Sequence, residues 1–451
     1  MEIRRKIYQQ LFMWKESSHG ESALLIEGAR RVGKSYICEV FAKQEYQSYL
    51  FIDFSNVNEK VLQIFEEFKD DLDSFFLYLS MYYQVTLYQR NSVIIFDEVQ
   101  MYPKARALIK HLVKDGRYDY IETGSLISLK QNVRDILIPS EEEAITMYPL
   151  DFEEFLWALG DETSVPFIKD RFQKKKKLGD AFHQKMMHLF KQYMLVGGMP
   201  QAVIKYVETK DFFEADKVKR RILKLYRDDV SKFAKGYEYK VLSIFDEIPG
   251  QLSKHEKKFK LSSLEKNARL RDYEEAFMWL NEAMIINIGF NSTDPNVGFG
   301  LSQDRMTLKC YMMDTGLLIT HAFKDNQMTS DNIYRAILFD KMEINEGMLV
   351  ENAVAQALRT SGHELYFYSR YDKEKAENTI EIDFLIQEET LTKAKVSPIE
   401  VKSGKRYSYR SLEKFQSKFS SRIKECYILH TGDYDRKNGY VFLPIYMAML
   451  L

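Results

Sequence analysis

This 451-residue sequence is poor in several features, and each scarcity excludes a class of protein. Its three cysteines, Cys38, Cys310 and Cys426, are scattered and never at a metal-binding spacing, so we expect reduced core thiols in a cytoplasmic protein. No apolar run approaches the ~20 residues that a membrane span needs. The N-terminus also lacks the apolar core of a signal peptide, and we expect no membrane partner.

The sequence also has almost no net charge and shows no internal repeats. The formal net charge is −1, so no overall field draws the chain towards nucleic acid or a membrane. No internal repeat or low-complexity linker stands out. Because 45% of the residues are hydrophobic, the chain can bury large cores, and its length suggests about two to four domains.

The motif GARRVGKS at residues 28–35 fits the pattern G-x-x-x-x-G-K-[ST] of a phosphate-binding P-loop. It follows an apolar run at residues 23–26 that predicts a buried strand, and it precedes a segment with helical character. Gly28 and Gly33 allow a tight turn that brings backbone N–H groups close to an anion. The N-terminus of the following helix adds partial positive charge at the same point.

Two side chains of this loop carry the expected chemistry. Lys34 can reach the β- and γ-phosphates of ATP, and Ser35 can hold Mg²⁺. Arg30 and Arg31 either bind phosphate or clamp a lid, or they are exposed loop cations. The other members of the predicted nucleotide-binding set are Gly28, Val32, Gly33 and Tyr36.

A second motif, VIIFDE at residues 93–98, supports the first. Its four apolar residues fit a central parallel strand that is buried on both faces. Two acids at the end of such a strand lie beside a P-loop, where ligands bind in open α/β sheets. We expect Asp97 to hold Mg²⁺ through water and Glu98 to polarise the water that attacks the γ-phosphate.

Strands and helices alternate over residues 1–145, which predicts an α/β fold with the parallel sheet of a P-loop NTPase. The predicted strands cover residues 23–26, 49–54, 93–96, 118–123 and 144–147. In ATPases with an extra strand between the P-loop strand and the acidic strand, a polar residue there senses the γ-phosphate. Thr123 or Ser125 fits this role, although Ser125 fits equally well as the N-cap of a helix.

The pattern becomes helical from Leu150 to about residue 233, and a small helical module is expected over residues 236–330. Residues 254–271 contain seven basic side chains against two acids. Helices over 261–271 and 276–288 would suit a helix-turn-helix or winged helix whose polar face meets phosphates. A helical spacer with a solvated basic face fits the same pattern.

The last 120 residues contain a second group of polar residues. Glu351 lies in a predicted helix, Asp383 in a predicted strand, and Glu400 and Lys402 in another strand. Since residues i and i+2 of a strand share a face, Glu400 and Lys402 point the same way. An antiparallel return between the two strands would let Asp383 and Glu400 share one hard cation, with Glu351 approaching from the helix. Lys402 would then orient or deprotonate the attacking water, as in metal-assisted phosphodiester hydrolysis.

Local charge around this constellation is basic. Residues 393–424 contain ten basic side chains and two acids, Glu400 and Glu413. Such a face suits a phosphate backbone, with strongly salt-dependent affinity, and DNA or another nucleic acid is the expected partner. Tyr407 and Tyr409 either stack on bases or pack in the core.

With both motif sets in view, the chain resembles the prokaryotic AAA-type ATPases that carry a C-terminal domain of uncharacterised function. Its terminal part resembles the PD-(D/E)xK nuclease-like fold, although the "PD" dipeptide is Ile382-Asp383 here. The resemblance covers nearly the whole chain. Further matching segments are TGS at 123–125, PL at 149–150, FEEF at 152–155, GGMP at 197–200 and KCYMMDTGL at 309–317.

This resemblance and the pattern along the chain together predict four domains. They are a P-loop AAA-type ATPase core over residues 1–148, a helical lid over 149–235, a winged-helix-like module over 236–330 and a PD-(D/E)xK nuclease-like domain over 331–451. The expected cofactors are ATP and Mg²⁺, with Mn²⁺ as an alternative at the nuclease-like site. The candidate arginine fingers are Arg220, Arg221 and Arg227, and each could reach a phosphate in its own chain or in a neighbouring one. Because none can be chosen, the sequence fits a monomer as well as a homo-oligomer such as a dimer or a ring.

Three functions follow as hypotheses. In the first, ATP binding at Lys34 and hydrolysis through Glu98 control access of DNA to a metal site where Glu351, Asp383, Glu400 and Lys402 cleave it. In the second, the same ATPase is a switch whose nuclease-like domain binds nucleic acid or a protein without cleavage. The third, a nucleotide kinase or small-molecule phosphotransferase, lacks an acceptor-binding motif.

Overall fold

The computed structural model describes residues 3–124, 140–254, 258–324, 346–371, 379–388, 395–404 and 406–451, together with Tyr334, Ile337 and Leu338. The chain divides into two compact units. The N-terminal unit contains the residues up to Tyr148 and the short segment Glu282–Met284, and the C-terminal unit contains Pro149–Asn281 and Ile285–Leu451. None of the described helices is long and apolar enough to span a membrane.

The N-terminal unit is a five-stranded parallel sheet with helices on its faces. Its strands β1 to β5 span Ala23–Gly28, Ser48–Asp53, Ser92–Asp97, Asp119–Gly124 and Glu142–Met147. Its helices α1 to α5 span Ile7–Ser18, Lys34–Glu45, Glu59–Glu67, Leu72–Tyr83 and Pro103–Asp115. The strand order is β2-β3-β4-β1-β5, and every pairing is parallel. The predicted parallel sheet is confirmed, and β4 is the extra strand between β1 and β3.

One face of this sheet forms an apolar core with α3, α4 and α5. Leu25 and Phe96 from the strands pack there with Phe65, Phe75 and Ile109 from the helices. Asn58 and Asp71 cap α3 and α4 with their side chains, and Pro103 starts α5. Burying a side chain of this size stabilises the fold by about 1.5–3 kcal/mol, so this core holds the carboxyl ends of the strands in fixed positions.

The C-terminal unit combines a helical part with an eight-stranded mixed sheet. Its helices α6 to α15 span Phe152–Ala158, Ser164–Gln173, Asp180–Val196, Pro200–Thr209, Phe212–Phe233, Glu238–Ser253, Glu274–Glu282, Thr315–Ala322, Glu346–Thr360 and Arg410–Phe419. Its strands β6 to β13 span Ile286–Ser292, Gln303–Met312, Tyr366–Arg370, Ile380–Glu388, Lys395–Val401, Cys426–His430, Asp435–Lys437 and Tyr440–Pro444. The order is β12-β13-β11-β10-β9-β8-β6-β7, so β6 and β7 share one sheet with the later strands. The four predicted domain boundaries remain predictions.

The predicted helix over residues 261–271 is wrong. The structure has only two short 3₁₀ turns there, Leu261–Ser263 and Leu270–Asp272, and Arg269 is extended between them. Serine hydroxyls that bond to nearby backbone compete with helix formation, and Ser263 Oγ donates to the Lys260 carbonyl. The next helix, α12, spans Glu274–Glu282 instead of residues 276–288, and strand β6 begins at Ile286. The winged-helix interpretation of this region remains a proposal.

Two distant glycine-containing segments interlock in the C-terminal unit. Asp314 caps α13 through Leu317 N and also accepts a hydrogen bond from Gly198 N at 2.5 Å. A Cβ atom on Gly198 would collide with the Leu150 carbonyl, and one on Gly316 would collide with the backbone at Val196. Only glycine permits this close approach of backbones, which explains why the GGMP and DTG segments both carry it.

Candidate functional site

The P-loop folds as its sequence predicts, between the end of β1 and the start of α2. Gly33 has a left-handed backbone (φ 98°), and a Cβ on Gly28 would meet the Met147 carbonyl of β5 at 2.5 Å. The Lys34 ammonium donates to the carbonyls of Gly28 and Ala29 at 3.0 Å each. Burial lowers the pKa of Lys34, although Glu98 and Asp97 oppose this shift.

The carboxyl ends of β3 and β4 bring two more predicted residues to the loop. Ser35 Oγ donates to Asp97 Oδ2 at 2.9 Å, and Thr123 Oγ1 donates to Asp97 Oδ1 at 2.5 Å. Burial raises the pKa of Asp97, while both hydroxyl bonds hold it down. Ser125, the alternative to Thr123, lies outside the described residues.

Glu98 adopts a left-handed backbone (φ 53°) immediately after β3. Its N–H donates to Thr123 Oγ1 at 3.2 Å, and its carboxylate accepts a hydrogen bond from the Gln100 amide. This conformation is uncommon for a residue other than glycine and costs free energy. Thr123 and Gln100 therefore hold Glu98 at the sheet edge beside Lys34.

The remaining predicted nucleotide-binding residues divide by exposure. Arg30, Arg31 and Tyr36 are exposed at the loop and first helical turn. Val32 is fully buried, so its side chain packs beneath the loop rather than facing a ligand. All lie in the loop or at the start of α2, as the motif requires.

Arg5 is a loop contact that sequence reasoning missed. Its guanidinium donates to the Val32 carbonyl at 2.9 Å and to the Tyr148 carbonyl at 2.6 Å. Arg5 is 6% exposed, so it braces the P-loop against the chain that follows β5. A basic residue just before an apolar helix gave no sign of this role.

The C-terminal unit brings its predicted residues together as well. Strands β9 and β10 pair antiparallel, which agrees with the predicted return and places Asp383 beside the Glu400 strand. Asp383 Oδ2 accepts from Val401 N at 2.8 Å, and Lys402 forms an ion pair with Glu400. Burial and the nearby Asp383 raise the pKa of Glu400 to about 7.

A buried lysine from β7 also enters this acidic cluster. Lys309 Nζ lies 3.3 Å from Glu351 Oε1, 3.7 Å from Asp383 Oδ1 and 3.9 Å from Glu381 Oε1. Tyr311, two residues along the same strand, donates its hydroxyl to Glu351 Oε1 at 2.7 Å. Sequence reasoning gave Lys309 and Tyr311 no role, although a lysine between buried apolar residues was a usable sign.

The acidic cluster does not fit the predicted divalent metal. Among the described residues, no three His, Cys, Asp or Glu side chains are arranged to hold a metal ion. The Lys309 ammonium instead lies within 4 Å of two of the carboxylates that were predicted to approach the metal, Glu351 and Asp383, and of Glu381 as well. Metal binding by Asp383 and Glu400 is therefore not supported by this geometry.

The predicted basic face around this cluster is weaker than its residue count suggests. Lys402 pairs with Glu400, Arg422 with Asp294 and Lys424 with Glu388, while Lys393 and Lys405 lie outside the described residues. A stripe along α15 is formed by Arg410, Lys414 and Lys418; Lys414 donates to the Thr379 carbonyl at 3.4 Å and Lys418 to the Tyr368 hydroxyl at 3.1 Å. Tyr407 and Tyr409 pack against the apolar core of this region, which favours the packing interpretation.

Comparison with known families agrees with the P-loop geometry. Residues 20–156 match the model of an AAA domain. The chain carries an AAA-type ATPase domain. Two domains of unknown function match further on, DUF8612 over residues 187–328 and DUF4143 over residues 346–448. No curated protein matches the chain.

Three solved structures are similar at 13% identity. A Walker-type ATPase of Pyrococcus abyssi covers 71% of this chain and 96% of its own, with a TM-score of 0.42. Drosophila ORC bound to DNA covers 75% and 96%, with a TM-score of 0.29. A signal transduction ATPase with numerous domains and a tetratricopeptide repeat sensor, from Pyrococcus horikoshii, covers 79% and 48%, with a TM-score of 0.28. These TM-scores are too low to support an inference about this chain.

An AAA-type ATPase domain implies ATP and, with it, Mg²⁺. The hydroxyl of Ser35 and the carboxylate of Asp97, already in contact, are oxygen ligands of the kind that Mg²⁺ prefers. The backbone of the P-loop and Lys34 supply the positive side of the site. The residues of the loop therefore fit the nucleotide and its metal.

The candidate arginine fingers differ in the ion pairs that they form within the chain. Arg227 forms a two-bond ion pair with Asp246, at 2.9 and 2.8 Å. Arg220 donates to Asp216 at 2.7 Å and to the Phe323 carbonyl at 3.2 Å. Arg221 is exposed on α10. Two of the three guanidiniums are thus held in internal ion pairs, and an arginine finger among these residues stays a prediction.

Proposed function

We propose that this protein is an ATP-driven switch that binds ATP at residues 28–35, hydrolyses it through Glu98, and thereby controls a C-terminal unit that binds nucleic acid. The observation that carries the ATPase part is the convergence of Lys34, the Ser35–Asp97 pair and Thr123 at one sheet edge. In P-loop ATPases such groups position the phosphates and the attacking water.

The mechanism assigns one task to each side chain. Lys34 leaves the carbonyls of Gly28 and Ala29 and moves to the β- and γ-phosphates, while Glu98 orients the attacking water and accepts its proton. Thr123 touches both Asp97 and the Glu98 backbone, so it relays the state of the γ-phosphate to both acids. Ser35 and Asp97 would hold Mg²⁺, which would supply neutralising charge for the phosphate oxygens.

Nucleic-acid binding is assigned to the α15 stripe of Arg410, Lys414 and Lys418. Their spacing of four residues places them on one face of the helix, away from the buried Leu412 and Phe415. Cations in such a row match the regular charges of a phosphate backbone. By contrast, the exposed residues of α12 include the acids Glu274 and Glu275, so that helix is not assigned to phosphates.

The test is DNA binding at several salt concentrations, with single-stranded, duplex and branched DNA. Reversing the stripe to Glu at all three positions should weaken binding at least tenfold and lower the salt slope by about one per lost phosphate contact. A matched control makes the same change at the exposed Lys174, Lys175 and Lys176. Equal weakening in both proteins would contradict the assignment, and ATP turnover unchanged by DNA would contradict the coupling.

Phosphodiester cleavage is the second candidate function. Glu351, Asp383, Glu400 and Lys402 do approach one another in the folded chain, but cleavage would also require a metal ion where the Lys309 ammonium lies. Incubation of DNA with Mg²⁺ or Mn²⁺, with and without ATP, tests it against Lys402→Ala. Metal-dependent cutting that disappears in the variant would establish a nuclease. Intact DNA together with normal ATP turnover would leave the binding switch.

A further inference from the structure

Lys309 is a buried cation inside the acidic cluster. Its side chain is 1% exposed, and its ammonium faces Glu351, Asp383 and Glu381 at 3.3, 3.7 and 3.9 Å. A charge buried this deeply is stable only when opposite charges surround it. The carboxylates therefore stabilise the buried ammonium in place of water.

The lone pairs of the carboxylates are largely taken. Tyr311 donates to Glu351, Val401 N donates to Asp383, and Lys402 neutralises one oxygen of Glu400. Among the described residues, the other oxygen of Glu400, Oε1, has no hydrogen-bond partner, and Glu400 is 3% exposed. One acceptor therefore remains open beside an occupied cation position.

We infer that the Lys309 ammonium stands in the place of a divalent cation, so that the acidic cluster holds together without metal and the C-terminal unit does not cleave by metal-assisted hydrolysis. The inference concerns this cluster alone. It deepens the proposed switch but does not depend on the α15 stripe or on ATP turnover, whose tests use other residues and other readouts.

Removing the lysine should create a metal site. Without Lys309, a gap lies beside the carboxylates of Glu351, Glu381, Asp383 and Glu400. Only Lys402 then offsets their negative charge. Hard cations favour such clusters of carboxylate oxygens. Losing one positive charge at this distance should raise the affinity for a divalent cation roughly tenfold or more.

The experiment measures Mn²⁺ binding to the full chain by calorimetry and by electron paramagnetic resonance. Every protein carries Asp97→Asn, so that the P-loop contributes no metal site, and no nucleotide is added. The variants are Lys309→Ala, Lys309→Met, which keeps the side-chain length, and Lys309→Arg, which keeps the charge. Lys309→Ala with Asp383→Asn tests whether any gained site lies in this cluster, and circular dichroism checks folding.

We expect no Mn²⁺ site in the Asp97→Asn parent or in Lys309→Arg. One site should appear in Lys309→Ala or Lys309→Met and disappear when Asp383 is also changed. A Mn²⁺ site in the parent that Asp383→Asn removes would overturn the inference. Folded Lys309→Ala and Lys309→Met proteins that gain no site would overturn it as well, because the lysine would then not stand in a cation position.

Discussion

Replacing Glu122 by Gln should stabilise the ATPase domain, by an amount that grows with pH. Glu122 lies on β4 immediately before Thr123 and is fully buried, and the described residues offer its ionised carboxylate no hydrogen-bond donor, whereas the protonated form can donate to Glu142. Burial raises the pKa of Glu122 well above its usual range, and the neighbouring Glu142 adds to the rise. The folded state therefore keeps a proton that the unfolded chain releases.

The magnitude follows from proton linkage. A glutamate in an unfolded chain ionises near pH 4.3, and each pH unit from there to the folded pKa costs about 1.4 kcal/mol. The stabilisation from the raised pKa of Glu122 is complete below pH 4.3 and is lost as the pH rises towards the folded pKa. Up to the folded pKa, each pH unit above 4.3 therefore costs the wild type about 1.4 kcal/mol that a glutamine keeps, equivalent to about 3–6 °C in Tm.

Differential scanning calorimetry of the full chain from pH 4 to pH 8 measures this difference. The two melting curves should coincide near pH 4 and separate as the pH rises. Glu142→Gln is the matched control, since Glu142 accepts two hydrogen bonds from the buried Arg106 at 3.0 and 2.6 Å. That change should destabilise by about 3–5 kcal/mol because it leaves a buried cation unpaired. A Glu122→Gln protein that is less stable at every pH would refute the reasoning, because the ionised carboxylate would then be the required form.

Three further changes have expected outcomes. Glu98→Gln should retain ATP binding but slow hydrolysis by about 10²–10⁴-fold, as single-turnover kinetics would show; unchanged turnover would remove Glu98 from the mechanism. Arg5→Ala should weaken ATP binding roughly tenfold by loosening the loop, measured with a fluorescent ATP analogue, whereas unaltered affinity would mean the brace is only structural. Asp216→Asn should lower stability in urea by about 3–5 kcal/mol at pH 7, since it deprives the buried Lys219 of a counter-charge. Burial already lowers the pKa of Lys219 to about 8, so this deficit should shrink towards pH 10, and a pH-independent deficit would contradict that account.

The strands of the ATPase sheet could be predicted from the sequence because short, continuous segments encode them. The run before Gly28 and the run before Asp97 are continuous, apolar and followed by functional residues, so strand and site could be located together. The position of β4 between β1 and β3 is not encoded locally and was expected only from ATPases that carry an extra strand there. A parallel sheet buried on both faces leaves few other arrangements for such runs.

The acidic cluster of the C-terminal unit was only partly predictable. Asp383 and Glu400 meet because two adjacent strands return on each other, which their spacing allowed. Lys309 comes from β7, more than seventy residues before Asp383, and its approach depends on how the strands share one sheet. No local pattern encodes such a long-range contact, and a cation was therefore expected from solvent instead of from the chain.

The close backbone contacts at Gly198 and Gly316 bear on how such a protein can be recombined. Gly198 forms hydrogen bonds with Leu150 on one side and with Asp314 on the other. These three segments, which are far apart in sequence, must therefore come from the same parent protein. A chimera joined near residue 148 would carry all three from one parent. One joined near residue 235 would take Gly198 and Asp314 from different parents, and any mismatch in backbone path there would place a carbonyl where only a hydrogen atom fits. A junction near residue 148, which exchanges the ATPase domain as a whole, is therefore the one that this architecture tolerates.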